Sequence, residues 1–193
     1  MIDWEWALID ELETAKSWQE AKAVMLQQWE EDPTHIKACV RLAFLCWYTV
    51  VEQPYQWQDE YDLPDYDECL TILRRLTSYG LEHFTEDINF LWTFGYMMSL
   101  FAEYFCANYS EQAYLAWEQK GEQMLEKAHS MMPDDPMFTM ILLSNIPTAK
   151  LSDQQKIYKV ACRATKPLLA SRFQGKGEMQ RYFLSVLNRD KKV

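Results

Sequence analysis

The sequence predicts an all-α protein of about eight to nine helices. Apolar residues recur at helical spacing through most of the 193 residues, and candidate caps precede several of these segments. Glycine is scarce, with 5 residues, and proline is modest, with 7, so the chain has little material for the many tight turns of a β protein. No segment shows a convincing strand pattern.

The composition predicts one packed domain. Hydrophobic residues make up 49% of the chain and aromatic residues 15%, which is typical of a globular protein and not of a disordered one. A chain of this length forms one sizeable core and is marginal for two. We therefore expect a single domain over residues 1–193, with an acidic aromatic loop inserted at 53–65 and a basic cap at 150–193.

Spacing and start signals predict the first three helices. The first covers about residues 3–14. Ser17 and Glu20 match a capping box and predict a second helix that ends before Pro33. Thr34 opens a third helix, whose run of apolar residues is expected to be buried on most sides.

Residues 53–65 interrupt the helical pattern. They contain two prolines and no periodicity, which predicts a loop. Helical spacing then resumes, and a bend is expected at Pro167 because proline removes a backbone donor. The remaining helices are predicted over about residues 66–84, 87–108, 111–131, 136–145, 152–172 and 178–189.

Small residues recur where they would let two helices approach closely. One spacing of a small residue, a large residue and a later proline occurs twice, in Ala21, Met25, Gln28 and Pro33 and in Gly121, Leu125, Ala128 and Pro133. A large–large–small–large order also occurs twice, in Cys39, Leu42, Ala43 and Cys46 and in Leu91, Phe94, Gly95 and Met98. These patterns resemble the tetratricopeptide repeat, W-x2-L-G-x2-Y followed by A-x3-F and a proline.

The resemblance covers about residues 17–146 and implies an irregular, TPR-like stack of antiparallel helical hairpins. It departs from the repeat in several ways. No helix has the full W-L-G-Y set, and 52 residues separate Ala43 from Gly95 where a regular repeat would have about 34. An unrelated all-α bundle is the alternative fold.

In tetratricopeptide stacks the first helix of each hairpin lines a concave groove, so the resemblance also implies a candidate groove. A peptide-binding groove is one interpretation of this amphipathic, aromatic set, and ordinary core packing is the other. Its members would be Lys37, Val40, Phe44, Trp47, Asn89, Trp92, Tyr96 and Ser99.

Charge is distributed unevenly along the chain, whose net charge is −10. Residues 1–149 hold 8 Lys/Arg against 26 Asp/Glu, whereas residues 150–193 hold 11 against 3. Such an acidic body disfavours nucleic acid and anionic membranes as partners and would steer in a basic protein. Solubility alone is an equally good explanation of the acidity.

The acidic loop and its flanks form a candidate partner-binding site. Seven acids and no Lys or Arg lie between Glu52 and Leu73, interleaved with aromatic rings. Rings can supply desolvated contacts while acids steer a basic partner, although the rings could instead attach the loop to the helices. The candidate residues are Tyr55, Trp57, Asp59, Glu60, Tyr61, Asp62, Asp65, Tyr66, Asp67 and Glu68.

Signatures of catalysis and of metal binding are missing from the sequence. The five cysteines have no CxxC spacing, the three histidines have no metal-ligand pairing, and no phosphate-binding glycine loop occurs. Asp134 and Asp135 lie between two prolines and are expected to form a turn and cap a helix. We therefore expect no cofactor and no metal.

The sequence also predicts a cytoplasmic protein. The first 13 residues are acidic and carry no base, unlike a signal or transit peptide. The longest nearly uncharged apolar run has 13 residues, too few to cross a bilayer. The odd number of cysteines fits reduced, buried thiols.

These observations favour a non-enzymatic protein-binding module for a basic partner. The chain is similar in size, low pI and acidic, aromatic character to toxin-immunity proteins in general, which implies neutralisation of a cationic, nuclease-type toxin. One alternative is a TPR-like chaperone for a secreted protein. Another is an all-α enzyme with a carboxylate-based site.

Overall fold

A computed structural model describes residues 2–56, 62–144 and 152–188. Within these ranges the chain is helical and forms no strand, apart from one isolated parallel bridge between Ser17 and Asp62. The all-α prediction is confirmed. The helices are α1 (Ala7–Thr14), α2 (Trp18–Glu31), α3 (Ile36–Gln56), α4 (Tyr66–His83), α5 (Ile88–Leu100), α6 (Glu111–Met131), α7 (Pro136–Ser144), α8 (Ser152–Thr165), α9 (Leu169–Arg172) and α10 (Glu178–Leu187).

Helices that are neighbours in the sequence pack against each other. Contacts run from α2 to α3, from α3 to α4, from α5 to α6, and on through α7 to α8. The chain then turns back, so that α10 contacts α1 and α3 at the opposite end of the sequence. The stack is thus closed across one side by its own C-terminal helix.

The core is centred on large aromatic side chains from three parts of the chain. Trp4, Trp47 and Trp92 are fully buried. The ring centroid of Phe183 on α10 lies 4.9 Å from that of Trp92 and 5.6 Å from that of Phe44. Burying one such side chain contributes about 1.5–3 kcal/mol, so these rings account for much of the attachment of α10.

Two glycines lie where α5 and α6 touch, as the small-residue pattern predicted. A Cβ on Gly95 would lie 2.9 Å from the carbonyl oxygen of Gly121. A Cβ on Gly121 would lie 2.8 Å from the backbone nitrogen of Ser99. The two backbones are therefore in direct contact, and only glycine fits at either position.

Replacing Gly121 with alanine is expected to destabilise the protein by about 1–3 kcal/mol, because the added methyl group forces two backbones apart. The same change at an exposed position inside a helix would stabilise by up to about 1 kcal/mol. Thermal unfolding distinguishes the two cases. The control is Gln119→Ala, at an exposed position of α6, and a higher melting temperature for the Gly121 variant would contradict the contact.

The N-terminal segment departs from the predicted helix over residues 3–14, since α1 begins only at Ala7. The backbone carbonyl of Trp4 instead accepts hydrogen bonds from Arg41 Nη1, at 2.7 Å, and from Gln180 Nε2, at 3.0 Å. These partners lie far away in the sequence. A local pattern cannot reveal them, and they hold the segment outside the helix.

The predicted capping box at the start of α2 is wrong. Ser17 occupies the N-cap position, but its side chain makes no capping hydrogen bond. The turn is stabilised in other ways: Trp18 Nε1 donates to the carbonyl of Glu13 at 3.1 Å, and the amide of Gln19 donates to the carbonyl of Asp62 at 3.1 Å. Contacts from outside the turn thus replace the local cap.

Two other helix ends differ from the prediction. The helix expected over 87–108 ends at Leu100, and a 3-10 turn over Ala102–Phe105 follows. Arg74 Nε donates to the carbonyl of Tyr104 at 3.1 Å, which fixes this turn against α4. The loop expected at 53–65 begins late, because α3 continues to Gln56.

The predicted cap at Asp135 is confirmed, and the helix predicted over 152–172 is interrupted at Pro167. Asp135 Oδ1 accepts from the amide of Met137 at 2.9 Å, and its carboxylate also pairs with Arg172. Helix α8 ends at Thr165, and a 3-10 turn containing Pro167 leads into α9.

Candidate protein-binding surfaces

The predicted groove is filled by the chain itself. Val40, Phe44, Trp47, Trp92 and Tyr96 are each at most 5% exposed. Tyr182 and Phe183 of α10 pack against the four aromatic rings of this set. The ring centroids of Phe44 and Tyr182 are 5.4 Å apart, and the hydroxyl oxygens of Tyr96 and Tyr182 are 3.0 Å apart.

The ends of the groove are also occupied by contacts within the chain. Asn89 is buried, and its Oδ1 accepts from the amide of Ile2 at 3.2 Å. Lys37 Nζ donates to the carbonyl of Glu5, and Ser99 Oγ donates to the carbonyl of Tyr96. The open-groove interpretation is therefore corrected in favour of core packing.

Burial raises the pKa of Tyr182, and the neighbouring Tyr96 raises it further. Burial likewise raises the pKa of Tyr48, which lies 5.7 Å from Tyr182 between ring centroids. Both phenols are therefore neutral at physiological pH. They act as uncharged hydrogen-bonding groups at the edge of the core.

Half of the predicted loop site lies outside the described residues. Trp57, Asp59, Glu60 and Tyr61 belong there, as does the side chain of Tyr55, so the role predicted for them stays a prediction. The described members are Asp62, Asp65, Tyr66, Asp67 and Glu68.

These described members form part of an exposed acidic surface. The backbone hydrogen bond from Gln19 to Asp62 brings the first turn of α2 beside the start of α4. Glu20 on α2 is exposed there, as are the acids before and within the first turn of α4. We call this surface the acidic face and define it as Glu20, Asp62, Asp65, Asp67 and Glu68.

Two of these acids also have structural roles. Asp65 caps α4, since its Oδ1 accepts from the amide of Glu68 at 2.8 Å. Glu68 pairs with Lys22, whose side chain is 2% exposed while that of Glu68 is 46% exposed. Tyr66 is half-buried and packs against the core. Glu20, Asp62 and Asp67 are therefore the members available to a partner.

The structure also contains a buried ionic network that the sequence did not predict. Arg41 Nη1 donates to Asp10 Oδ1 at 2.9 Å, and Arg41 Nη2 donates to Glu13 Oε2 at 3.0 Å. Gln180 Nε2 lies 3.4 Å from Asp10 Oδ1. We call Asp10, Glu13, Arg41 and Gln180 the polar clasp, because they join α1, α3 and α10. Arg41 is the one charge within a long apolar run, which is the sequence signal that could have revealed it.

The segment before α10 passes directly over the polar clasp. The amide of Lys176 donates to Asp10 Oδ2 at 3.1 Å, and the amide of Glu178 donates to Glu13 Oε2 at 2.6 Å. Gly175 has a φ of +101°, which favours glycine. A Cβ on Gly177 would lie 2.6 Å from Arg41 Nη2, so this backbone can approach the guanidinium only without a side chain.

A cleft of about 620 Å³ opens beside the polar clasp and is the place where a carboxylate-based enzyme site would be sought. Glu5, Asp10, Glu11, Thr14 and Lys176 are among its lining residues. Both oxygens of Asp10 already accept hydrogen bonds from within the chain. This arrangement suits attachment of the two ends of the chain to each other better than proton transfer.

Burial raises the pKa of Glu13, and the nearby Arg41 opposes that rise. Within residues 2–56, 62–144 and 152–188, no three His, Cys, Asp or Glu side chains are grouped so that they could hold a metal ion. No helix in the same ranges is long and apolar enough to cross a membrane. The five cysteines are free thiols, and four of them are buried.

No family model, curated protein or solved structure matches this chain. The tetratricopeptide-like assignment therefore stays a prediction from the residue pattern.

Proposed function

We propose that this chain is a non-enzymatic, cytoplasmic protein-binding module for a basic protein partner. Its form would be an immunity protein that neutralises a cationic, nuclease-type toxin. The observation that carries the proposal is the acidic face, whose acids stay exposed while the groove predicted as the other binding surface is closed by α10.

Electrostatics supports a basic partner. The chain carries a net charge of −10, and its first 149 residues hold 26 acids against 8 bases. A field of this sign speeds the approach of a cationic protein and repels acidic competitors. The same field opposes nucleic acid, which a nuclease-type toxin must bind, so an acidic face can cover such a toxin by resembling its substrate in charge.

The chaperone alternative has less support, because it needs an open groove. The aromatic residues predicted to line that groove pack against α10, and the ring centroid of Phe183 lies 4.9 Å from that of Trp92. A client segment would first have to displace a helix that is held by aromatic contacts and by the polar clasp. The acidic face needs no such rearrangement.

Reversing Asp62 and Asp67 to lysine is expected to slow association with the basic partner about tenfold or more at low salt, because steering depends on these charges. The slowing should shrink as salt rises, since the Debye length falls from about 10 Å at 0.1 M to about 3 Å at 1 M. The partner is first recovered by low-salt capture from the native cell and identified by mass spectrometry. Association rates are then measured by stopped flow.

The matched control reverses Glu82 and Glu126, which are also exposed acids, so that the net charge changes equally. If the control slows association as much as the Asp62 and Asp67 variant does, the net charge and not the acidic face is responsible. Neither variant removes a helix cap or a buried ion pair, so the melting temperature should stay within a few degrees.

A further inference from the structure

We infer that a second surface, at the start of α6, binds an arginine-bearing segment of the basic partner. This inference rests on the proposed function and adds the place and the chemistry of an anchoring contact. We call it the Tyr109 surface and define it as Glu103, Tyr109, Glu111, Tyr114, Leu115 and Glu118.

Two large side chains of the Tyr109 surface are exposed to solvent. The Tyr109 side chain is 73% exposed, the largest value among the exposed large hydrophobic side chains of the described ranges. Leu115, one turn into α6, is 53% exposed. Tyrosine is enriched at binding hot spots, where its ring supplies rigid contact area.

The members of the Tyr109 surface lie together. Glu111, Leu115 and Glu118 share one face of α6 because they are spaced by four and three residues. Tyr114 OH donates to Glu118 Oε1 at 3.5 Å. The pKa of Tyr114 is raised, mainly by burial and then by the negative charges of Glu118 and Glu103. Tyr109 is a smaller cause of the same rise. Tyr109 immediately precedes Ser110, the N-cap of α6, and so adjoins the first turn of the helix, which holds Glu111 and Tyr114.

The surface is also ordered before any partner arrives. Ser110 caps α6, and its Oγ accepts from the amide of Ala113 at 3.1 Å. The ring centroids of Phe105 and Trp117 lie 6.0 Å apart, and this contact attaches α6 to the preceding 3-10 turn. A surface that is already ordered loses less conformational entropy on binding.

Charge identifies the occupant. Three of the six members of the Tyr109 surface are glutamates, and the segment that supplies them has no lysine or arginine between Arg75 and Lys120. Arg74 is the nearest base on α4, and its Nε donates to the carbonyl of Tyr104. Arginine fits this surface better than lysine, since a planar guanidinium can stack on a tyrosine ring while it donates to a carboxylate.

The Tyr109 surface and the acidic face can serve one partner. Asp67 and Arg74 lie on the same side of α4, seven residues or about 10 Å apart, and Arg74 contacts the turn that leads to Tyr109. A standard interface covers about 800 Å² on each protein, which is enough to span both surfaces.

The test uses the full chain with hexa-arginine and hexa-lysine peptides as probes, at low salt. Calorimetry is expected to show hexa-arginine binding about threefold or more tighter than hexa-lysine, because a planar guanidinium stacks on the rings better than an ammonium does. Tyr109→Ala should abolish this preference, whereas Tyr109→Phe, which keeps the ring, should retain it. Leu8→Ala is the control, since Leu8 is 51% exposed on α1 and lies outside the surface.

Amide chemical-shift mapping with hexa-arginine gives the location. Shifts over residues 103–118 support the inference. Shifts confined to the acidic face, with a preference for arginine that survives Tyr109→Ala, overturn it and leave the proposed function standing. Failure of both peptides to bind overturns the inference together with the proposed function.

Discussion

Replacing Arg41 with methionine is expected to cost about 3–5 kcal/mol of the free energy of unfolding, because the change leaves two buried carboxylates without their cation. The side chain of Arg41 is 0% exposed, and those of Asp10 and Glu13 are 7% and 1% exposed. Methionine keeps much of the volume, so the loss reports the charge and not a cavity. Urea unfolding followed by circular dichroism measures it.

The pH dependence of this loss provides an independent check. Burial already raises the pKa of Glu13 in the folded protein, so the folded state binds a proton more readily than the unfolded state does. The stability associated with that proton is present at low pH and is lost as the pH rises through the folded-state pKa. Without Arg41 this trend should steepen, and the variant should lose less stability at acid pH than at neutral pH.

The triple variant Arg41→Met, Asp10→Asn, Glu13→Leu is the control for the polar clasp. Removing the whole charge set should recover part of the loss, since a buried ion pair can be replaced by uncharged groups at little cost. A single Arg41 variant that loses less than about 1 kcal/mol would show that the network is open to water.

Replacing Phe183 with alanine is expected to cost about 3–5 kcal/mol, because it removes a fully buried ring from the centre of the closed groove. The ring centroid of Phe183 lies 5.3 Å from that of Phe173 and 5.4 Å from that of Tyr96. Five aromatic neighbours would face the resulting cavity, with Trp92, Phe44 and Tyr182 completing the set. Denaturant unfolding measures the loss.

Val160→Ala provides the comparison for Phe183, since Val160 is 65% exposed on α8 and should change stability by about 0.5 kcal/mol or less. Should the Phe183 variant unfold at the same denaturant concentration as the wild type while binding an apolar dye, α10 would be a detachable cover. The groove, and with it the chaperone alternative, would then regain support.

The proposed binding surfaces and the closed groove have a common physical basis. Rings that meet rings within the chain, such as Trp92 and Phe183, are buried and stabilise the fold. A ring that is mostly exposed, as at Tyr109, is the kind that we propose for a partner contact. Burial thus separates the aromatic residues of this chain into rings that stabilise the fold and rings that stay exposed, a division that composition cannot show.

Local pattern determined which segments are helical. Periodicity placed α2, α4 and α6 close to their observed bounds, and it located the touching pair Gly95 and Gly121. These features could be predicted because helical spacing and small residues act within one segment or between neighbouring segments. The composition of the sequence by itself also established the acidic character on which the proposed function depends.

Only the tertiary structure decided what covers the groove and what holds the two ends of the chain together. Phe183 meets Trp92 and Gln180 meets Asp10 across separations of 91 and 170 residues, which no spacing rule connects. Long-range hydrogen bonds from Arg41 and Gln180 to the carbonyl of Trp4 keep the first residues out of α1. Burial depends on the whole set of packed elements, so a residue such as Tyr96 has the same sequence signal whether it lines a groove or lies beneath a helix.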